Sequence, residues 1–149
     1  MPAISVIDDI IIKAPPQLIF DVIADYNNFN SWCLDYHCEI QGSDTIYEGV
    51  QVFHCLGKPP FKTEFVREIK YLEAPKRIDE AYVSGPLVGT GSWILTEEEV
   101  GTRVAYDCNV DGIGIFMKLA IKLFGTSSHS KVYNNILNSL KSYCEEKLI

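Results

Sequence analysis

No apolar run in this 149-residue chain approaches the roughly 20 residues that cross a bilayer as a helix. The N-terminus has no charged lead into a long apolar stretch, so a secretory leader is not expected either. Basic residues are scarce: 13 Lys and Arg stand against 20 Asp and Glu, for a formal charge of −7. A nucleic-acid partner calls for a basic stripe along the phosphate backbone, and no long basic run occurs, so nucleic acid is excluded as the main partner. The five cysteines (Cys33, Cys38, Cys55, Cys108 and Cys144) are odd in number, scattered and never in CxxC spacing. That usage fits free thiols in a reducing cytoplasm. The sequence has no internal repeat, no low-complexity stretch, no linker and no GxSxG nucleophile elbow. A single domain over residues 1–149 is expected, able to bury about two-thirds of its unfolded surface and so to support a core or a lined pocket.

What is present is a clear order of elements. Ala3 to Lys13 is rich in isoleucine and valine and reads as a strand. Ala14-Pro15-Pro16 ends it, because proline cannot donate to a ladder yet fits a first helical turn. Leu18, Ile19, Phe20, Val22 and Ile23 then predict a short buried helix, and the polar stretch from Asp25 to Asn30 leads into a second short helix near Trp32. Strands follow over Asp35–Gln41, Gly49–Leu56, Lys62–Leu72, Arg77–Val83, Val88–Glu97 and Thr102–Val110, separated by Gly, Pro and Asp turns. Alternation places Thr63, Phe65, Arg67, Ile69 and Tyr71 on one face of the third of these. After Gly112 and Gly114 the period becomes helical. Phe116, Leu119, Ala120, Leu123 and Phe124 share a stripe, as do Val132, Ile136, Leu140, Tyr143 and Cys144, and Gly125-Thr126-Ser127-Ser128 is expected to kink or split the helix.

Seven strands joined by short turns must pair antiparallel, and the C-terminal helix is the only element long enough to cover one face. A bent sheet gripping one helix leaves a space between them, closed at one end by the short helices, and such concave apolar space is a default ligand site. The segment IIIKAPPQLIFDVIADYNNFNSW near the start, GSWILTEEEVGTRVAYD in the last hairpin and the C-terminal ILNSLKSYCEEKL resemble the START-like, or SRPBCC, superfamily, in its polyketide cyclase/dehydrase-like branch. The resemblance covers nearly the whole chain. It implies an α+β helix-grip fold: a seven-stranded curved antiparallel sheet around a long C-terminal helix, with two short helices after strand 1. It also implies binding of hydrophobic molecules such as lipids, sterols, polyketides or quinones. The superfamily has no universal catalytic residue, so the resemblance assigns none here.

Several constellations compete with that reading. Cys33, His37, Cys38, His54 and Cys55 contain metal-ligating types, but neighbours in a strand face opposite ways and the spacing matches no zinc pattern. Gly85 to Gly91 is glycine-rich, yet Ser92-Trp93-Ile94-Leu95 continues as strand where a phosphate cradle needs a helix N-terminus; a hairpin or bulge beside the pocket mouth is expected instead. The acidic groups Asp8-Asp9, Asp79-Glu80 and Glu97-Glu98-Glu99 read as strand surfaces and a turn tip rather than a convergent acid/base pair. Arg67 falls on the apolar parity of its strand, where a charge is either paired, snorkels out, or anchors a ligand carbonyl or carboxylate. Ile115 to Phe124, with Lys118 and Lys122, is amphipathic; core packing is expected, with contact at a membrane surface as the second reading.

The expected function is binding, transport or sequestration of a small hydrophobic or amphipathic ligand, such as a lipid, quinone or polyketide, by a monomer or weak homodimer without metal or other cofactor and without stable membrane insertion. The expected cavity set is Trp32, His54, Phe65, Arg67, Tyr71, Tyr82, Trp93, Tyr106, Phe116, Ala120, Leu123 and Phe124. A cyclase/aromatase-type enzyme, with His54, Arg67 or Tyr106 assisting proton transfer, is the first alternative. An interaction module of the chaperone-activator type is the second, and it would go with a filled interior.

Overall fold

The computed structural model describes residues 2–148. Strand β1 spans Ile4–Ile12, helix α1 spans Pro16–Ala24, and a 3-10 helix covers Tyr26–Ser31. Strands β2 (Tyr36–Ile40), β3 (Gln51–Leu56), β4 (Thr63–Glu73), β5 (Arg77–Ser84), β6 (Leu87–Glu98) and β7 (Gly101–Gly112) follow, and helix α2 runs from Ile115 to Glu146. The expected order of elements holds throughout. Pro15 and Pro16 start α1 as the double proline predicts: Pro15 is extended and Pro16 takes the first helical turn, where no amide is needed.

The sheet has the order β1-β7-β6-β5-β4-β3-β2, antiparallel at every pairing. Strands β2 to β7 form a meander, and β1 closes its far edge against β7. The sheet curves as a half-barrel, and its concave face carries Val104, Tyr106, Cys108 and Val110 from β7, Trp93 and Leu95 from β6, Ile78 from β5 and Ile69 from β4, all buried. Ile136, Leu137, Leu140 and Cys144 of α2 pack onto the same core, with Ile19, Phe20 and Ile23 of α1 and Phe29 of the 3-10 helix at one end.

Three expectations are corrected. Tyr71 does not share the face of Phe65 and Arg67. The β4–β5 register pairs Ile69 with Glu80 but Tyr71 with Asp79, so an extra residue at Lys70 inverts the parity. Tyr71 turns outward, where its hydroxyl meets Glu73, and Leu72 takes the inward place. The helix does not break at Gly125-Thr126-Ser127-Ser128; α2 is continuous. Gly125 is there for close approach: a Cβ would stand 2.9 Å from Ile121 Cγ2 and 3.3 Å from Ile4 Cδ1, so the missing side chain lets α2 lie down on β1. Core packing of the first half of α2 also fails. Phe116, Leu119, Leu123 and Phe124 are exposed, and Ile121 is the buried residue of that segment.

Candidate functional site

A cavity of about 480 Å³ lies between the concave face of the sheet and α2. Most of its wall is aliphatic or aromatic, from Ile4, Leu56, Phe65, Leu87, Met117, Ile121, Phe124 and Val132. Its polar part is a small group of side chains: Thr63 and Arg67 of β4, Tyr82 of β5, Tyr36 of β2, and Ser128, His129 and Tyr133 of α2.

Arg67 is 2% exposed, so its charge has to be satisfied from within. Its Nη2 donates to the hydroxyl of Tyr82 at 2.7 Å and to that of Tyr133 at 2.8 Å. Nη1 faces Glu80 Oε1 at 3.5 Å, and the guanidinium lies over the rings of Phe65 and Tyr82 at 4.9 and 4.7 Å. Nε has no partner among the described residues. Burial works against the charge, but the surrounding Tyr106, Tyr133 and Tyr82 oxygens and Glu80 outweigh it and hold the guanidinium well above its ordinary range.

Glu80 stands behind Arg67, away from the cavity. Its carboxylate accepts from the Tyr26 hydroxyl at 2.8 Å and the Tyr106 hydroxyl at 3.2 Å. Burial raises its carboxyl above the usual range, against the opposing pull of Arg67 and of the two phenols. Reading Asp79-Glu80 as a strand surface is therefore half right: Asp79 pairs outside with Arg77, while Glu80 is 1% exposed in the core. The signal was in the alternation, since Glu80 shares parity with Ile78 and Tyr82.

A second polar pair adjoins the first. Tyr36 Oη and His54 Nδ1 are 2.7 Å apart, with Cys38 Sγ 3.3 Å from the same nitrogen. His54 stacks on Phe65 at 4.9 Å. Burial and then Arg67 push its pKa well below the ordinary value, so it is neutral. His37 is on the exposed face of β2, opposite Cys38. Among the described residues no three His, Cys, Asp or Glu side chains gather as a metal site, and the five cysteines are free thiols.

On the α2 side, His129 stacks on Tyr133 at 4.6 Å, and Tyr133 in turn stacks on Tyr106 at 4.2 Å. Both imidazole nitrogens of His129 are buried without a hydrogen-bond partner among the described residues. Burial, then Arg67, lowers its pKa to about 4, against a smaller opposing effect of Asp8.

Of the twelve side chains expected around the cavity, Phe65, Arg67, Tyr82, Ala120 and Phe124 are on its wall. His54, Trp93 and Tyr106 are buried one layer behind it. Trp32 faces a surface groove beside Ser142 and Tyr143 at the other end of α2. Tyr71, Phe116 and Leu123 point outward, the first because of the bulge and the other two because they lie on the solvent side of α2. His129 and Tyr133 are the functional candidates that sequence reasoning missed. Extending the Ile136 and Leu140 stripe back by one and two turns reaches both.

The family described as polyketide cyclase / dehydrase and lipid transport matches residues 3–145. No curated protein matches the chain. Among solved structures, TTHA0849 from Thermus thermophilus is 18% identical with a TM-score of 0.77, over 96% of this chain and 98% of that one. A START superfamily protein from Mycobacterium smegmatis is 13% identical, with a TM-score of 0.77 over 95% and 97%. The Zhui aromatase/cyclase from Streptomyces sp. R1128 is 14% identical, with a TM-score of 0.77 over 97% and 95%. These likenesses are of fold. With a helix-grip architecture and a family match along nearly its whole length, this chain belongs to the polyketide cyclase / dehydrase and lipid transport family.

Proposed function

We propose that the protein binds a small amphipathic molecule, with a mainly apolar body and one polar end, in the cavity between the sheet and α2. The observation that carries this reading is the contrast within the cavity wall. A mainly aliphatic and aromatic surface lines about 480 Å³, and one buried guanidinium, whose Nε has no partner among the described residues, stands at the edge of it. Burial of apolar ligand surface supplies affinity at roughly 25 cal/mol per Å² before ordering costs. Arg67 and the Tyr82 and Tyr133 hydroxyls orient a carbonyl, enolate or carboxylate group. A lipid, a quinone or a polyketide fits this description. An open cavity weighs against the interaction-module reading, which goes with a filled interior.

Native mass spectrometry after mild purification tests the proposal, followed by a panel of fatty acids, quinones and aromatic polyketides. Retention of a ligand, or micromolar binding from the panel, is expected. A protein that comes out empty and binds nothing on the panel ends this reading.

The cyclase reading is supported by one further arrangement. Arg67 and a neutral His129 both reach the same cavity, so a cation that polarises a carbonyl and a base for an adjacent C–H occur together. Of the three residues first considered for it, only Arg67 lines the cavity, and His129 replaces His54 and Tyr106. Turnover of a poly-β-ketone thioester that is lost in His129→Phe, with ligand binding kept, supports an enzyme. Binding without turnover leaves a carrier.

A further inference from the structure

The outward face of the first half of α2 is apolar where a monomer in water would be polar. Ile115 is 84% exposed, Phe116 90%, Leu123 63% and Phe124 67%. Phe124 belongs to the cavity wall as well, so this face runs into the cavity mouth. The opposite rim carries Phe61, 89% exposed, on the loop between the wall residues Leu56 and Thr63. Contiguous exposed apolar surface of this kind marks a site of contact.

Charge says what makes the contact. The chain carries 20 acidic residues, yet none falls between Gly112 and Cys144, between Leu56 and Thr63, or between Ala81 and Thr96. These are the three segments that frame the mouth. Lys118 and Lys122 flank the apolar face of α2 and form no ion pair among the described residues. Lys58 and Lys62 flank Phe61, each paired with one carboxylate, Asp35 at 3.7 Å and Glu64 at 3.0 Å. Asp111 is the carboxylate in the groove beside Lys118 and Lys122, and it accepts from the Gly112 amide at 2.9 Å. Around the mouth of an acidic protein, four lysines interleaved with aromatic and aliphatic side chains thus face three carboxylates, Asp35, Glu64 and Asp111, each already engaged by a lysine or a backbone amide. A second copy docked symmetrically on this face would set Lys118 and Lys122 against themselves. An anionic bilayer surface complements both the apolar and the cationic groups.

We propose that the cavity mouth docks on the surface of an anionic phospholipid bilayer, with Phe116, Leu123 and Phe61 entering the headgroup boundary and Lys118 and Lys122 on lipid phosphates. This partner deepens the cavity reading and rests on it for its role: a sparingly soluble ligand passes between bilayer and cavity without crossing bulk water.

Co-sedimentation with phosphatidylcholine vesicles containing about a third phosphatidylserine tests it. The protein pellets with these vesicles and partitions at least about tenfold less with pure phosphatidylcholine, since each lysine at an anionic surface is worth roughly fivefold. Lys118→Glu with Lys122→Glu lowers partition by more than about tenfold. Phe116→Ser with Leu123→Ser lowers it similarly at unchanged thermal stability, and Phe61→Ser on the separate loop reproduces part of the loss. The proposal is overturned if the protein stays in the supernatant with anionic vesicles, or if binding ignores both double variants. It is equally overturned if sedimentation velocity shows a dimer that Phe116→Ser with Leu123→Ser dissolves, which gives the face to a second copy. Native mass spectrometry separates this from the cavity reading: a retained ligand with no vesicle binding sinks the docking alone, and vesicle binding by an empty protein that takes up no ligand sinks the cavity reading alone.

Discussion

Gly91 shows how one residue can set the geometry of the polar cluster. It pairs with Glu80 across β5–β6 and with Cys108 across β6–β7. A Cβ there would stand 2.0 Å from Tyr106 Oη and 2.6 Å from Cζ, so only glycine lets the phenol reach Glu80. Gly91→Ala is expected to cost about 1–3 kcal/mol by overpacking. Adding Tyr106→Phe, which removes the nearest atom, should recover part of that loss in a double-mutant cycle by urea unfolding; strict additivity would contradict the assigned contact. His129 gives a pH signature at the same scale. Its folded pKa of about 4 lies below the ordinary value near 6.5, so between the two the unfolded chain binds the proton and the folded one does not. The associated stability is present above about pH 6.5 and is lost as pH falls toward 4. Discounted for its partial exposure, wild type should lose about 1–2 kcal/mol more than His129→Phe between pH 7 and 5. The same loss in both proteins would mean that His129 does not titrate in this way.

At the scale of elements, α2 is one helix with two surroundings. Its second half puts Ile136, Leu137, Leu140 and Cys144 in the core, and its first half leaves Ile115, Phe116, Leu119 and Leu123 in solvent. Leu140→Ala should cost about 2–5 kcal/mol, while Leu119→Ala should stay within about 0.5 kcal/mol, both read by denaturant midpoints. Comparable losses would place the first half of the helix against the core after all. Periodicity alone marked both stripes as apolar and could not tell a stripe that faces a sheet from one that faces solvent. The strands were legible for the opposite reason. Alternation over β7 and β6 predicts their inner faces residue by residue, and it fails in β4 only past Lys70, where the register shift inverts the parity.

For the whole molecule, the question is whether the cavity is where a ligand goes. Ala120 lies on the cavity wall while its own helix face is exposed, so a larger side chain there can enter the space without disturbing the buried core. Saturation of the wild type with an apolar ligand at about 100 times its Kd should raise stability by about 2.7 kcal/mol. Ala120→Trp should remove most of that gain and leave the ligand-free midpoint within about 1 kcal/mol. Full ligand stabilisation in the variant would place the ligand elsewhere.

The order of elements, the antiparallel sheet, the gripping helix and the inward place of Arg67 are local consequences of residue type and spacing. Proline pairs stop strands, alternation sets faces, and a change of period announces a helix, so the sequence by itself determined them. Tertiary structure decided the rest. That Arg67 is held by Tyr82, Tyr133 and Glu80 depends on side chains of β5 and α2 meeting it across the cavity, contacts between residues up to 66 positions apart. That His54 and Tyr106 stand behind the cavity and His129 within it depends on which side chains fill the space first. The exposed face of α2 is also a tertiary fact, because a helix stripe is buried only where another surface comes to meet it.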